Sequence, residues 1–239
     1  MDTPLLSTVP IEAHVSLMLD AMYLNEAERA LELAIKGGRS VEMAMQKVER
    51  LNQISECILE EHHGNKLAAY DDLEPICIQL EGAEYELGAA HAPVLQAIAV
   101  VHILAAASLE AHINGRAIHL LSGKHFELFE RFSLEAKWTT LPKLLNLAGF
   151  DVGAEPFQSF SRLVKLRNAL VHYKAKQEDW APPGVPGFLC QLGLTQEDGA
   201  RSIKAAKGMI NGLARQLRDN EPFWLRCKDK INYFNVEFE

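Results

Sequence analysis

Apolar residues recur along this 239-residue chain with a period near 3.6, and strict apolar/polar alternation is almost absent. The pattern predicts an all-α protein. A first helix is expected from about Pro10 to Ile35, with Leu17, Met18, Ala21, Leu24, Ala27, Leu31 and Ala34 on one stripe. Gly37-Gly38 reads as its stop. Ser40 reads as the N-cap of a second helix, whose Val41, Met45, Val48, Leu51, Ile54 and Ile58 continue at helical spacing to Gly64. A weaker segment covers residues 75–87. The strongest run is residues 91–123, HAPVLQAIAVVHILAAASLEAHINGRAIHLLSG, which is apolar nearly all round and so belongs at the centre of a bundle.

Beyond it, FELFERFSLEAKWTTLPKLLNLAG (residues 126–149) predicts two helices broken by a turn, and FQSFSRLVKLRNALVHYKAK (157–176) predicts another. Residues 181–187, APPGVPG, predict a loop. Thr195 followed by Gln-Glu-Asp is a helix start for a segment reaching about Leu217, and the tail NYFNVEFE is expected to form the one short strand. The expected organisation is an up-and-down bundle over residues 89–239. Residues 1–88 form an acidic helical region, either part of the same domain or a lobe of its own with a boundary near residue 88.

Composition narrows the class. Apolar residues make up 48% and charged residues 23%, as in an ordinary globule with a sizeable core. The net charge of −8 is uneven: residues 1–90 hold 17 acids and 6 bases, while the remainder holds 15 acids and 18 bases. Such acidity argues against nonspecific gripping of nucleic acid, which needs clustered cations. A local exception is residues 161–176, where Arg162, Lys165, Arg167, Lys174 and Lys176 occur with no acid. Cys57, Cys77, Cys190 and Cys227 lack metal or disulfide spacing and read as reduced thiols serving as small apolar residues. No window approaches eighteen uninterrupted apolar residues, and the start MDTPLLSTVPIEAH has no basic segment ahead of an apolar one. The expectation is a cytoplasmic protein without membrane contact.

The chemistry concentrates in one string, LRNALVHY (166–173). On a helix, Phe160, Leu163, Leu166, Leu170 and Tyr173 form one face, while Lys165, Asn168, His172 and Lys176 form another. Arg167 stands five positions before His172, roughly 140° around an ideal helix, so its long stem must swing over to meet the imidazole. Together the two side chains suit metal-free RNA cleavage. Histidine can take the 2′-OH proton or protonate the leaving oxygen, and the planar guanidinium can hold two phosphoryl oxygens at once. Spacing alone is weak, since 11 arginines and 9 histidines give about 0.4 chance matches in a chain of this length.

The surrounding residues say more. Arg167-Asn168-Ala169-Leu170-Val171-His172 resembles the signature of the HEPN superfamily, an arginine, often followed by Asn, Asp or His, with a histidine four to six residues on. AAASLEAHIN (105–114), with Glu110 and Asn114, is similar to the earlier core helix of that superfamily. LEAKWTTLPKLL (134–145) is similar to the segment between the two helices in bacterial members, including ribonuclease-like toxins. The resemblance covers about residues 92–176. It implies a helical bundle, homodimerisation, and a composite cleft where the Arg-His helices of two copies meet; some relatives cleave RNA without metal in toxin-antitoxin, antiphage or RNA-processing systems, and others are inactive binding modules. It implies His172 as general acid/base, Arg167 as phosphate clamp and Asn168 as orienting group. Glu110 either positions that pair or neutralises a buried cation. Lys165, Lys174 and Asn114 are the expected substrate contacts, RNA the expected substrate, and an antitoxin or regulatory protein a further partner. No cofactor or metal is implied.

Other clusters have plainer readings. His62-His63 suits a helix C-terminus, where the dipole favours cations. His102, His112, His119 and His125 lack an acid or thiol at ligand spacing and read as core or interface residues. Trp138, Trp180 and Trp224 read as core or interface anchors rather than base-stacking platforms.

Overall fold

Residues Leu19–Glu61 form one helix, α1, which runs without a break through Gly37-Gly38 where the sequence predicts a stop. In the computed structural model, which describes residues 13–172, 192–226 and 232–238, these glycines are sites of close approach. A Cβ on Gly37 would stand 2.8 Å from Val94 Cγ2 of the neighbouring helix. Beside Gly38 lies the side chain of Gln196, whose Nε2 donates to the Ala34 carbonyl at 3.1 Å. Glycine here serves packing, and the helix continues because its neighbours fix it from outside.

Helix α2 (Tyr70–Leu120) unites the weak segment at 75–87 with the strong run, so residue 88 lies within a continuous helix. Pro93 forfeits one backbone bond. Val94 and Ile98 beside it are buried against Ala34 and Val41 of α1, which holds the helix in register. The two helices form a long antiparallel hairpin, with Lys47 Nζ 2.7 Å from Glu86 Oε2 and His62 Nε2 3.0 Å from Asp72 Oδ2 marking its rungs. His62 caps α1, as expected of a histidine at a helix C-terminus.

Three shorter helices follow as predicted: α3 (Gly123–Glu130), α4 (Leu134–Leu144) and α5 (Phe157–Val171). Then comes α6 (Gln196–Leu217), whose Thr195 N-cap accepts from the Asp198 backbone N–H at 3.1 Å. The predicted loop at 181–187 lies outside the described residues. The fold is all-α apart from a two-stranded antiparallel ribbon. The tail supplies β2 (Phe234–Phe238), as expected, but its partner β1 (Ala13–Leu17) takes the residues assigned above to the start of the first helix. The ribbon docks onto α1 through Met18 N–H to Tyr233 O at 2.8 Å and Asn25 Nδ2 to the Tyr233 hydroxyl at 3.1 Å.

The main core joins α2, α4, α5 and α6 around Trp138, Phe160, Leu109, Ile113, Leu163 and Met209, all sealed from solvent. Trp138 sits among Phe150, Phe160 and the His112 ring, and Trp224 meets His112 edge-on, so both tryptophans are core anchors; Trp180 lies outside the described residues. A second, smaller core runs along the hairpin through Ala34, Val41, Val48, Leu51, Ala83 and Leu87. By length and composition α2 is apolar enough to cross a membrane, although polar residues interrupt its apolar runs; 44% of its most apolar window is buried inside the bundle. Cys57 and Cys77 are free but exposed on the hairpin, rather than used as buried apolar residues. Among the described residues no group of His, Cys, Asp or Glu is arranged to hold a metal ion.

Candidate functional site at the end of α5

Helix α5 carries Arg162, Lys165 and Arg167 and no acid. Its inward face, Phe157, Phe160, Leu163, Val164 and Leu166, is buried and sets the rotation of everything else on it. Arg167 extends the row Phe160–Val164 and begins half-buried against the bundle. Lys165, Asn168 and His172 fall on the outward face and are exposed. The link between the two sides is a hydrogen bond: Arg167 Nη1 donates to Asn168 Oδ1 at 2.9 Å. It draws the guanidinium toward Asn168, one turn before His172. His172 follows the last helical residue, and its backbone N–H still donates to the Asn168 carbonyl at 3.0 Å. Among the described residues no carboxylate is paired with Arg167 or His172.

A buried histidine of α2 anchors the segment that crosses α5 ahead of α6. His102 Nε2 lies 2.7 Å from the Gly193 carbonyl, and its Nδ1 lies 2.8 Å from Ser202 Oγ. A carbonyl only accepts, so Nε2 carries the proton, and Nδ1 accepts from the serine hydroxyl. Desolvation pushes the His102 pKa below the usual histidine value, opposed by the Gly193 bond and Asp198 and reinforced by Arg162, so the ring stays neutral. Gly193, at φ +63°, lets the chain turn directly over Leu166, whose Cδ1 would lie 2.7 Å from a Cβ there. On the α6 side, Arg162 Nη2 is 2.9 Å from Asp198 Oδ1, and Thr195 Oγ1 donates to Asp198 Oδ2 at 2.8 Å.

The other expected site residues are placed differently. Glu110, half-buried on α2, does not contact Arg167 or His172; its Oε1 accepts from Lys137 Nζ at 2.9 Å. Lys137 is only 1% exposed, so Glu110 is the counter-charge of a buried ammonium, the structural one of its two expected roles. Asn114 is one turn further along α2, with its Oδ1 buried and without a hydrogen-bond partner among the described residues. Lys174 lies outside the described residues. The structure therefore joins Arg167 to Asn168 by a hydrogen bond, sets His172 one turn beyond Asn168 just past the end of α5, and leaves Glu110 and Asn114 in the bundle wall. Sequence spacing missed Lys137 as the partner of Glu110, although it stands in the quoted LEAKW string; only the packing of α4 on α2 joins residues 27 positions apart. Of the remaining histidines, His112 Nδ1 lies 2.8 Å from Asp20 Oδ2 in the core, and His125 Nδ1 lies 2.6 Å from Ser122 Oγ at the surface.

No protein-family model matches the chain, and neither the curated proteins nor the solved structures contain a match to it.

Proposed function

We propose that this protein is a cytoplasmic, metal-independent endoribonuclease of HEPN type, acting in a toxin-antitoxin or antiphage system, with its cleft assembled from the α5 helices of two copies. The observation that carries this reading is the Arg167–Asn168 hydrogen bond, which draws a guanidinium with no carboxylate partner among the described residues toward the outward row holding His172. In this mechanism His172 takes the 2′-OH proton or returns one to the departing 5′ oxygen. Arg167 spreads its two N–H edges over the phosphoryl oxygens as charge grows on them. Asn168 fixes the fork, and Lys165 and Lys174 steer the flanking phosphates. Glu110 acts from a distance by holding Lys137, and through it the α2–α4 wall. An antitoxin or regulatory protein would restrain such an activity in the cell.

The second reading is a catalytically silent HEPN-like module that binds a protein, RNA or nucleotide partner. It draws on the engagement of Glu110 by Lys137 and on the net charge of −8. Labelled RNA incubated in EDTA with wild-type protein or with His172→Ala separates the two. The enzyme reading expects 2′,3′-cyclic phosphate ends from the wild type and a loss of rate of at least about a hundredfold in the variant. Equal silence from both proteins selects the binding module.

A further inference from the structure

We infer that the cleft between the start of α5 and the middle of α6 is a ribonucleotide subsite, which holds one unit of an RNA strand away from the Arg167–His172 end. The cleft, of about 330 Å³, is lined by Glu155, Pro156, Ser159, Arg201, Lys204, Ala205 and Gly208. Its volume is in the range of small-ligand pockets. Its two walls differ in chemistry. The α6 wall carries Arg201 and Lys204. Glu197 at 2.5 Å and Asp198 at 3.5 Å hold the Arg201 guanidinium in place, and Lys204 is exposed with no carboxylate partner among the described residues. The α5 wall carries Glu155, whose Oε1 accepts from Ser159 Oγ at 2.7 Å.

A carboxylate repels phosphate but accepts readily from a sugar hydroxyl. A ligand with both groups therefore fits in one orientation, phosphate toward Arg201 and Lys204 and ribose toward Glu155. Pro156, Ala205 and Gly208 add an apolar floor against which a base can lie; a Cβ on Gly208 would stand 2.8 Å from Pro156 Cβ, so glycine there lets the two walls meet closely at the base of the cleft. From Ser159 to His172 the chain rises about 20 Å, and along that stretch Arg162, paired with Asp198, and Lys165, with no carboxylate partner among the described residues, stand between the cleft and His172. The 2′-OH is the group that separates RNA from DNA, so Glu155 assigns the substrate class.

The inference rests on the nuclease reading only for its connection to His172, and the test keeps the two apart. Full-length His172→Ala protein, which cannot cleave, is titrated into a labelled single-stranded 12-mer RNA and the same DNA sequence, and binding is read by fluorescence anisotropy. Lys204→Glu and Glu155→Ala are added separately; both positions are exposed, and circular dichroism confirms their folding. The expected result is preference for RNA, loss of that preference in Glu155→Ala, and roughly tenfold weaker binding of both strands in Lys204→Glu. Adenosine monophosphate as competitor distinguishes a free nucleotide, which displaces RNA from the cleft, from a strand-only site, where it does not. Equal binding of RNA and DNA, absence of binding, or unchanged affinity in Lys204→Glu overturns the inference. If Lys204→Glu weakens binding while wild-type protein leaves RNA intact, the subsite stands and cleavage falls; cleavage together with unaltered binding in Lys204→Glu gives the reverse.

Discussion

Along α1 and α2 the same two helices pass from a packed base into an arm that no other described element covers. In the base, α2 is flanked by α4, α5 and α6, and large side chains such as Trp138, Phe160 and Leu109 are fully enclosed. In the arm, from Asn52 to Gly82, Ala69 is the single buried residue, and Leu67, Ile78 and Tyr85 are 87%, 65% and 80% exposed nearby. Both are continuous helix. What differs is how many neighbours the apolar stripe finds, which means that burial rather than propensity distributes stability along these helices. The candidate site belongs to the base, on a helix whose inward face is sealed and whose outward face is polar.

The largest effect expected from this contrast is in the base. Trp138→Ala empties the centre of the aromatic cluster and should cost about 3–5 kcal/mol, read from urea denaturation. Ile58→Ala, the same kind of truncation on the half-buried seam of the arm, should cost below about 1 kcal/mol. Comparable losses at the two positions would mean that the arm is covered in solution.

Ion pairs divide the same way. Lys137 is buried with Glu110 as its counter-charge, so Glu110→Gln leaves an ammonium poorly compensated and should cost about 1–3 kcal/mol, less than a fully buried pair because Glu110 is 41% exposed. Adding Lys137→Met should recover most of that loss. On the hairpin beside the arm, Lys47 and Glu86 are 50% and 58% exposed, and Lys47→Met should change stability by less than about 0.5 kcal/mol. If Glu110→Gln leaves stability intact yet lowers RNA cleavage, Glu110 belongs to the chemistry and not to the wall.

Legibility in the sequence followed the same division between local and non-local causes. Helix α6 was readable to its first residue because Thr195 and Asp198 form a local cap. The interruption between α3 and α4 was readable within residues 126–149, and α5 from its periodicity. The ribbon was half-readable, since the tail alternates visibly but its partner β1 lies some 220 residues earlier and is selected only by the folded bundle. At the site, Arg167, Asn168 and His172 were legible as neighbours on one helix. The Glu110–Lys137 pair and the Arg162–Asp198 contact were not, because each joins two helices whose relative rotation no spacing encodes.

Two opposed effects meet between base and arm, where the second core begins. Gly37→Ala removes a flexible residue from the interior of a helix, which by propensity alone stabilises by about 0.5–1 kcal/mol. The new methyl would lie 2.8 Å from Val94 Cγ2, so α1 and α2 must separate where the second core begins, at a cost of about 1–3 kcal/mol. The two effects oppose each other, and the contact should win by about 1 kcal/mol, seen as a lower thermal midpoint. Val94→Ala combined with Gly37→Ala tests that account directly: it removes the opposing methyl groups, so the double variant should lose less than the sum of the two single losses. A Gly37→Ala protein more stable than the parent would show that the helices are already apart at this level, and that continuity through Gly37-Gly38 comes from α1 itself and not from the packing of α2 and Gln196 around it.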